Sequence, residues 1–223
     1  MVILLAIVLI ILGVLVLALR GLFGIFPDNW EWVGIVLAGV GLLMSTPSII
    51  QMAVGKPKII TYYKVNVKDQ ERQLVVLLQN LPMGKDWKIW RKLGVRRDTV
   101  QSLEVNFRVF EAGSNRELQP IIQGKLLDSL DGKLQNRIIL PPTYSVGAAI
   151  PVVDWDLDKS AAFLMGDYAR NPMRLGKGEY RLLMSFMVDG EPVIVNRNFI
   201  IGDRADELMW VLPNPNREDY RLV

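Results

Sequence analysis

Residues 179–201 read EYRLLMSFMVDGEPVIVNRNFII. The run splits at Asp189-Gly190 into two β-rich stretches, EYRLLMSFMV and EPVIVNRNFII. Glycine tolerates positive φ, and Asp-Gly between apolar runs is a strong hairpin signal. The segment therefore predicts antiparallel strands over 179–188 and 191–201, joined by a tight turn.

The preceding chain has the same grammar. In LEVNFRV, Leu103, Val105, Phe107 and Val109 alternate with Glu104, Asn106 and Arg108, the period of a half-buried strand. LVVLL at 74–78 is a continuous apolar run, as expected for a central strand covered on both faces. IITYYKVNV (59–67), LQPIIQGKL (118–126), NRIIL (136–140) and SAAFLMG (160–166) are further strand candidates. No long amphipathic helix and no internal repeat interrupts them. This density of short strands predicts an antiparallel β-sandwich over residues 56–212.

A local resemblance points the same way. LGKGEYRLLMSF places Tyr180 just after a Gly-rich turn, at the start of a penultimate strand. This resembles the tyrosine corner of immunoglobulin-like and fibronectin-like domains, and it covers only the last hairpin. It implies an Ig-like sandwich in which the Tyr180 hydroxyl ties the turn to the strand. The Cys…Trp…Cys pattern of antibody domains is absent, which excludes a true antibody-type domain.

The front of the chain is different. Residues 2–19, VILLAIVLIILGVLVLAL, carry no charge, and 32–54, WVGIVLAGVGLLMSTPSIIQMAV, carry only Ser, Thr and Gln as polar groups. At ~1.5 Å per residue each comes close to the ~30 Å hydrocarbon core. The first segment has no Lys or Arg before Arg20 and is followed by GLFGIF, so a retained helix is favoured over a cleaved signal peptide. Residues 1–55 thus read as a transmembrane helical hairpin. Pro47 is expected to kink the second helix, or, with Ser45-Thr46 as cap, to start a short interfacial helix from Pro47 to Val54. Gly34, Ala38 and Gly41 share a face that would admit the first helix at close range. Asp28, Trp30, Glu31 and Trp32 lie around the interhelical loop, whereas Lys56, Lys58, Lys64 and Lys68 follow the second helix. The positive-inside rule then places both termini, and the C-terminal domain, in the cytoplasm.

Composition narrows the chemistry. The 223 residues have a mean hydropathy of +0.24 and contain no Cys and no His. Disulfides, thiolate metal sites, thiol catalysis, Ser-His-Asp machinery and most zinc sites are excluded. Phosphate-loop, G-x-G-x-x-G and G-x-S-x-G motifs are missing. The acidic run DWDLD (Asp154, Asp156, Asp158) lacks the Gly and Glu of a calcium loop and reads as a solvated loop or charge-guarded edge strand. No catalytic residue, metal ligand or cofactor is assigned. Net charge is only +3, and no nucleic-acid-binding signature occurs.

Charge is unevenly placed. Residues 56–116 carry 13 basic and 6 acidic residues, and 117–223 carry 12 and 15. Within the basic half, KDWKIWRKLGVRRD (85–98) gathers Lys85, Lys88, Arg91, Lys92, Arg96 and Arg97 around Trp87 and Trp90. The two tryptophans, three apart, share a helical face that Leu93 would extend. The segment is a candidate contact with lipid headgroups or a protein partner. The competing reading has Trp87 and Trp90 plugging the end of the sandwich. Residues 213–223 read as a flexible tail, with Leu208, Trp210 and Leu212 folding back before it.

Taken together, these features indicate a membrane-anchored, non-enzymatic scaffold or accessory subunit with a protein partner or a second copy of itself. A membrane-tethered enzyme or ligand-binding sensor is the alternative.

Overall fold

The computed structural model describes residues 2–23, 30–68, 71–114, 116–129, 132–156, 160–165, 173–213 and 219–221. The chain forms two compact units. One comprises residues 1–56 with 83–97, and the other 57–82 with 98–223.

The first unit is helical. Helices α1 (Val2–Phe23) and α2 (Trp30–Val54) are followed, after the excursion through 57–82, by α3 (Lys88–Lys92). Within α2, Trp32–Val54 is long and apolar enough to cross a membrane, while the apolar stretch described in α1, Ala6–Leu19, is shorter. The 24–29 connection, including Asp28, lies outside the described residues.

Pro47 does not break α2, which runs continuously through it. The hydroxyls of Ser45 and Thr46 both donate to the Leu42 carbonyl, at 2.9 and 2.7 Å. They bond back to the preceding turn and do not cap a new helix at Pro47.

The second unit contains β1 (Ile59–Lys68), β2 (Glu71–Asn80), β3 (Val100–Glu111), β4 (Glu117–Gln123), β5 (Leu126–Asp128), β6 (Leu134–Gln135) and β7 (Arg137–Leu140). Then come β8 (Ala148–Asp156), β9 (Ala161–Leu164), β10 (Met173–Leu175), β11 (Gly178–Val188), β12 (Glu191–Ile201), β13 (Met209–Val211) and β14 (Asp219–Arg221). These strands form two antiparallel sheets. The first runs β10-β9-β8-β2-β1-β14, with the β5–β6 hairpin added to β8. The second runs β13-β12-β11-β3-β4, with β7 added to β3.

The core lies between the sheets. Leu103, Val105, Phe107 and Val109 of β3 and Tyr180, Leu182, Met184, Phe186 and Val188 of β11 meet Leu74, Val76 and Leu78 of β2 and Ile150 and Val152 of β8. The strict alternation in β3 follows from the two-residue period of a pleated strand, which sends every other side chain inward. The β11–β12 turn has φ +51° at Asp189 and +90° at Gly190, the backbone of a tight hairpin turn. The Asp189 carboxylate also accepts the N–H groups of Gln101 and Ser102 at 2.7 and 2.8 Å, fastening the turn to β3.

Three expectations change in detail. Residues 118–126 are not one strand: β4 belongs to the second sheet and β5 to the first. The chain changes sheet at Gly124, where an added Cβ would stand 2.6 Å from Val105 Cγ1 and 2.9 Å from Phe107 Cε1. Only glycine allows so close a crossing. Asp154 does not lie on an edge, because β8 pairs there with β2 on one side and β9 on the other; Asp156, one residue past the last β2 pair, is registered with Ala161 of β9, and Asp158 is outside the described residues. Finally, within the segment expected to be a flexible tail, Asp219–Arg221 pairs with β1. The open edge of β1 offers backbone donors and acceptors that a passing segment can satisfy.

Leu208 is fully buried, and Trp210 donates its indole N–H to the Lys64 carbonyl at 3.1 Å while packing edge-on against Tyr63 and Phe199. The stretch after β12 thereby folds back and ties the second sheet to β1 of the first.

Candidate membrane-interface site

The basic, tryptophan-containing segment is an insertion between β2 and β3 that belongs to the helical unit. A 3-10 turn over Lys85–Trp87 leads into α3. The helix stops after five residues because Gly94 takes φ +88°. Val95 N–H then reaches back to the Trp90 carbonyl at 3.0 Å, and Gly94 N–H to that of Arg91 at 3.2 Å. This double bond pattern is a Schellman stop, which glycine favours. It turns Val95 inward, and Val95 and Met83 are both buried.

Two bonded contacts then fix the segment to the end of α2. The Gln51 carboxamide donates through Nε2 to the Arg96 carbonyl at 2.8 Å and accepts the Arg96 N–H through Oε1 at 2.7 Å. The Arg97 guanidinium donates through Nη1 to the carbonyls of Val54 and Lys56 at 2.7 and 2.8 Å. A cation at the C-terminal end of a helix satisfies carbonyls that lack intrahelical donors and complements the negative end of the dipole. Gly55 permits this junction: an added Cβ would stand 2.2 Å from Gln51 Nε2 and 2.4 Å from the Gln51 carbonyl oxygen.

The candidate residues therefore divide. Lys85, Lys88, Arg91, Lys92 and Arg96 are exposed. Arg97 is half-buried and engaged with α2, so it does not join that exposed set. Trp87 and Trp90 are half-buried. The exposed apolar side chains are Ile89, 72% accessible, and Leu93, 54% accessible, four residues apart. Sequence reasoning singled out Leu93 but passed over Ile89, because the tryptophans drew the helical face toward themselves; the i, i+4 spacing of Ile89 and Leu93 was the signal.

The packing residues come together between the helices. Gly34, Ala38, Gly41 and the buried Ser45 follow an i, i+4, i+7, i+11 stripe on α2. An added Cβ at Gly41 would stand 2.7 Å from the Ala6 carbonyl oxygen, and one at Gly34 3.0 Å from that of Gly13. A Cβ at Gly13 would meet the Gly34 carbonyl oxygen at 2.6 Å and the Ala38 nitrogen at 2.7 Å. The helices are thus antiparallel and in near-backbone contact, the geometry that small residues permit. Gly13 was not singled out, although it is the single glycine in the 2–19 run.

In the β unit, Tyr180 is buried and its hydroxyl donates to the Gly176 carbonyl at 2.7 Å. Burial pushes this hydroxyl above its ordinary pKa, and the nearby Glu111 charge adds to the shift. Asn80, fully buried, accepts the Lys58 N–H at 3.2 Å and donates to the carbonyls of Asp98 and Leu140 at 2.9 and 3.1 Å. One amide thus holds together the segments through which the chain passes to and from the helical unit. A concavity of about 400 Å³ lies on the outer face of the first sheet beside Leu127 and Leu134, and Lys64 is its one charged lining residue. Among the described residues no group of three or more metal-ligating side chains occurs.

The sequence matches no known protein family and no curated protein.

Proposed function

We propose that this protein is a membrane-anchored scaffold or accessory subunit in which α1 and α2 both cross the bilayer and the β-sandwich serves as an interaction domain at the bilayer surface. The observation that carries the reading is the inverted polarity of the helical hairpin. Its packed seam is lined by Gly13, Gly34, Ala38 and Gly41, while Ile11, Val14, Trp32, Val36, Leu43 and Met52 are exposed on its outside. A pair of helices in water would bury the large apolar side chains and expose the small and polar ones; hydrocarbon reverses the preference. With both helices spanning, the two termini share one side, and the basic flank after α2 supports the cytoplasm as that side.

The sandwich fits an immunoglobulin-like arrangement. The order β5-β8-β2-β1 in one sheet and β4-β3-β11-β12 in the other follows the D-E-B-A and C′-C-F-G order of that fold, with β6, β7, β9, β10, β13 and β14 as additions. The Tyr180–Gly176 bond sits at the start of the F-equivalent strand, where a tyrosine corner belongs. Such domains bind partners through sheet edges and faces. Ile121 and Ile194, both exposed beside a depression of the second sheet's outer face, offer an apolar contact to a protein partner or a second copy of the chain. The reading assigns the protein no catalytic role.

The alternative, a membrane-tethered ligand-binding sensor, draws support from the concavity beside Leu127 and Leu134. Purification in mild detergent separates the two. A stoichiometric partner or homo-oligomer is expected for a subunit, whereas a homogeneous monomer without partner overturns that role. Alkaline extraction that releases the protein from membranes overturns the anchor. Protease access to the sandwich solely from the outer face overturns the orientation.

A further inference from the structure

We propose that the exposed face of residues 85–96 binds the anionic phospholipid headgroups of the bilayer in which α2 is anchored. The inference rests on the membrane-anchor reading above and adds to it a lipid site with a stated chemistry.

Position is the first argument. Gln51, Val54 and Lys56, the partners of Arg96 and Arg97, are the last turn of α2 and its immediate continuation. The end of a spanning helix lies at the boundary between hydrocarbon and water. A segment hydrogen-bonded to that end is held within reach of the headgroup layer.

Side-chain chemistry is the second. Ile89 and Leu93 are apolar, largely accessible and one helical turn apart. Lys85, Lys88, Arg91, Lys92 and Arg96, interspersed with them along the segment, are exposed, and Asp86 is the single acid between 85 and 97. Two exposed apolar side chains on a segment that carries five exposed cations match a surface whose outer layer is phosphate and whose next layer is acyl chain. Lysine and arginine stems pack along the apolar layer while their heads stay with the phosphates. A protein partner presenting an acidic rim around an apolar centre is the competing occupant. Continuity with the end of α2 favours the lipid, which is present there whatever else binds.

Third, the bond network leaves these side chains available. The contacts with α2 are made by the Arg96 backbone and the Arg97 guanidinium, so the Arg96 side chain and the four other cations remain exposed.

The chain has no cysteine, so single labels can be placed in the full-length protein. Leu93→Cys and, separately, Leu43→Cys are spin-labelled and reconstituted into phosphatidylcholine vesicles with or without phosphatidylglycerol. Collision with oxygen and with a water-soluble nickel chelate reports depth. The Leu43 label is expected at hydrocarbon depth in both lipids; a water-facing Leu43 label overturns the anchor and this proposal with it. With Leu43 at depth, the Leu93 label is expected to shift from water-facing to headgroup depth when phosphatidylglycerol is added. Replacing Lys85, Lys88, Arg91, Lys92 and Arg96 by Gln should abolish that shift, as should high salt. A Leu93 label that stays in water in both lipids overturns the lipid site and leaves the anchor intact; that is the result expected if a protein covers this face. A label equally deep in both lipids overturns the anionic preference. Arg97 stays unmutated because it holds the junction with α2.

Discussion

The side chain of Gln51 pairs with the backbone of Arg96 as one strand residue pairs with another, donating at 2.8 Å and accepting at 2.7 Å across 45 residues of sequence. A primary amide carries the same donor and acceptor as a peptide unit, so it can extend the last turn of a helix into a short two-bond ladder. Gln51→Ala removes both bonds. Each is worth about 1 kcal/mol, so with both lost local opening should become roughly 30-fold more frequent. Trypsin should cut faster within Lys85–Arg97, and amide exchange there should quicken. Gly55→Ala should do the same through the 2.4 Å clash with the Gln51 carbonyl oxygen. Unchanged cleavage in both variants would show that the pairing does not order the segment.

The seam between α1 and α2 makes a side-specific prediction. Gly41→Leu forces a side chain against the Ala6 carbonyl oxygen and Ile10, whereas a Cβ at Gly39 meets nothing within 4 Å. Overpacking costs about 1–3 kcal/mol. Thermal unfolding of the full-length protein in detergent should therefore fall for Gly41→Leu and for Gly13→Leu, but not for Gly39→Leu. Equal tolerance at all three positions contradicts the seam.

Asn80 should be among the most sensitive polar positions. Replacing it by Ala strands the Lys58 N–H and the carbonyls of Asp98 and Leu140 in a buried site. The expected loss is about 3 kcal/mol. Chemical denaturation followed by far-UV circular dichroism measures it, and a loss under about 1 kcal/mol, the worth of a single ordinary bond, would mean that water replaces the amide.

Tyr180→Phe deletes the hydroxyl that donates to Gly176 and should cost about 1 kcal/mol near neutral pH. A pH dependence follows. Burial raises the folded-state pKa, so the folded protein retains the proton where the unfolded chain has released it. The resulting stability is fully present below the ordinary tyrosine value, about 10, and is lost as pH rises through the folded value. The wild type should therefore lose more stability than Tyr180→Phe on going from neutral to strongly alkaline pH, as read by melting temperature. Parallel pH profiles would argue against a buried, proton-retaining hydroxyl.

Local rules made much of the β unit legible. The Asp189-Gly190 turn announces itself because few residues adopt positive φ, and β3 does so because a pleat alternates faces. The apolar runs of α1 and α2 and the small stripe Gly34, Ala38, Gly41 are likewise patterns of one dimension. Other features are not. The split of residues 118–126 at Gly124 depends on Val105 and Phe107 lying directly beneath it, which no window around 124 contains.

The candidate site divides in the same way. Its six cations and two tryptophans are readable as composition. Which of them face water was decided by Gly94 turning the chain, by Val95 going inward, and by Gln51 and the Val54 carbonyl holding Arg96 and Arg97. Helical periodicity ranks the faces of an isolated helix, but α3 is only five residues long and takes its orientation from its ends. The sequence by itself determined the apolar runs, the strand periods and the turn, because these follow from side chains a few residues apart. The i, i+4 spacing offers Ile89 and Leu93 as one apolar pair and the i, i+3 spacing offers the tryptophans as another, and tertiary structure decided which is exposed, because exposure depends on contacts with a helix some 45 residues away.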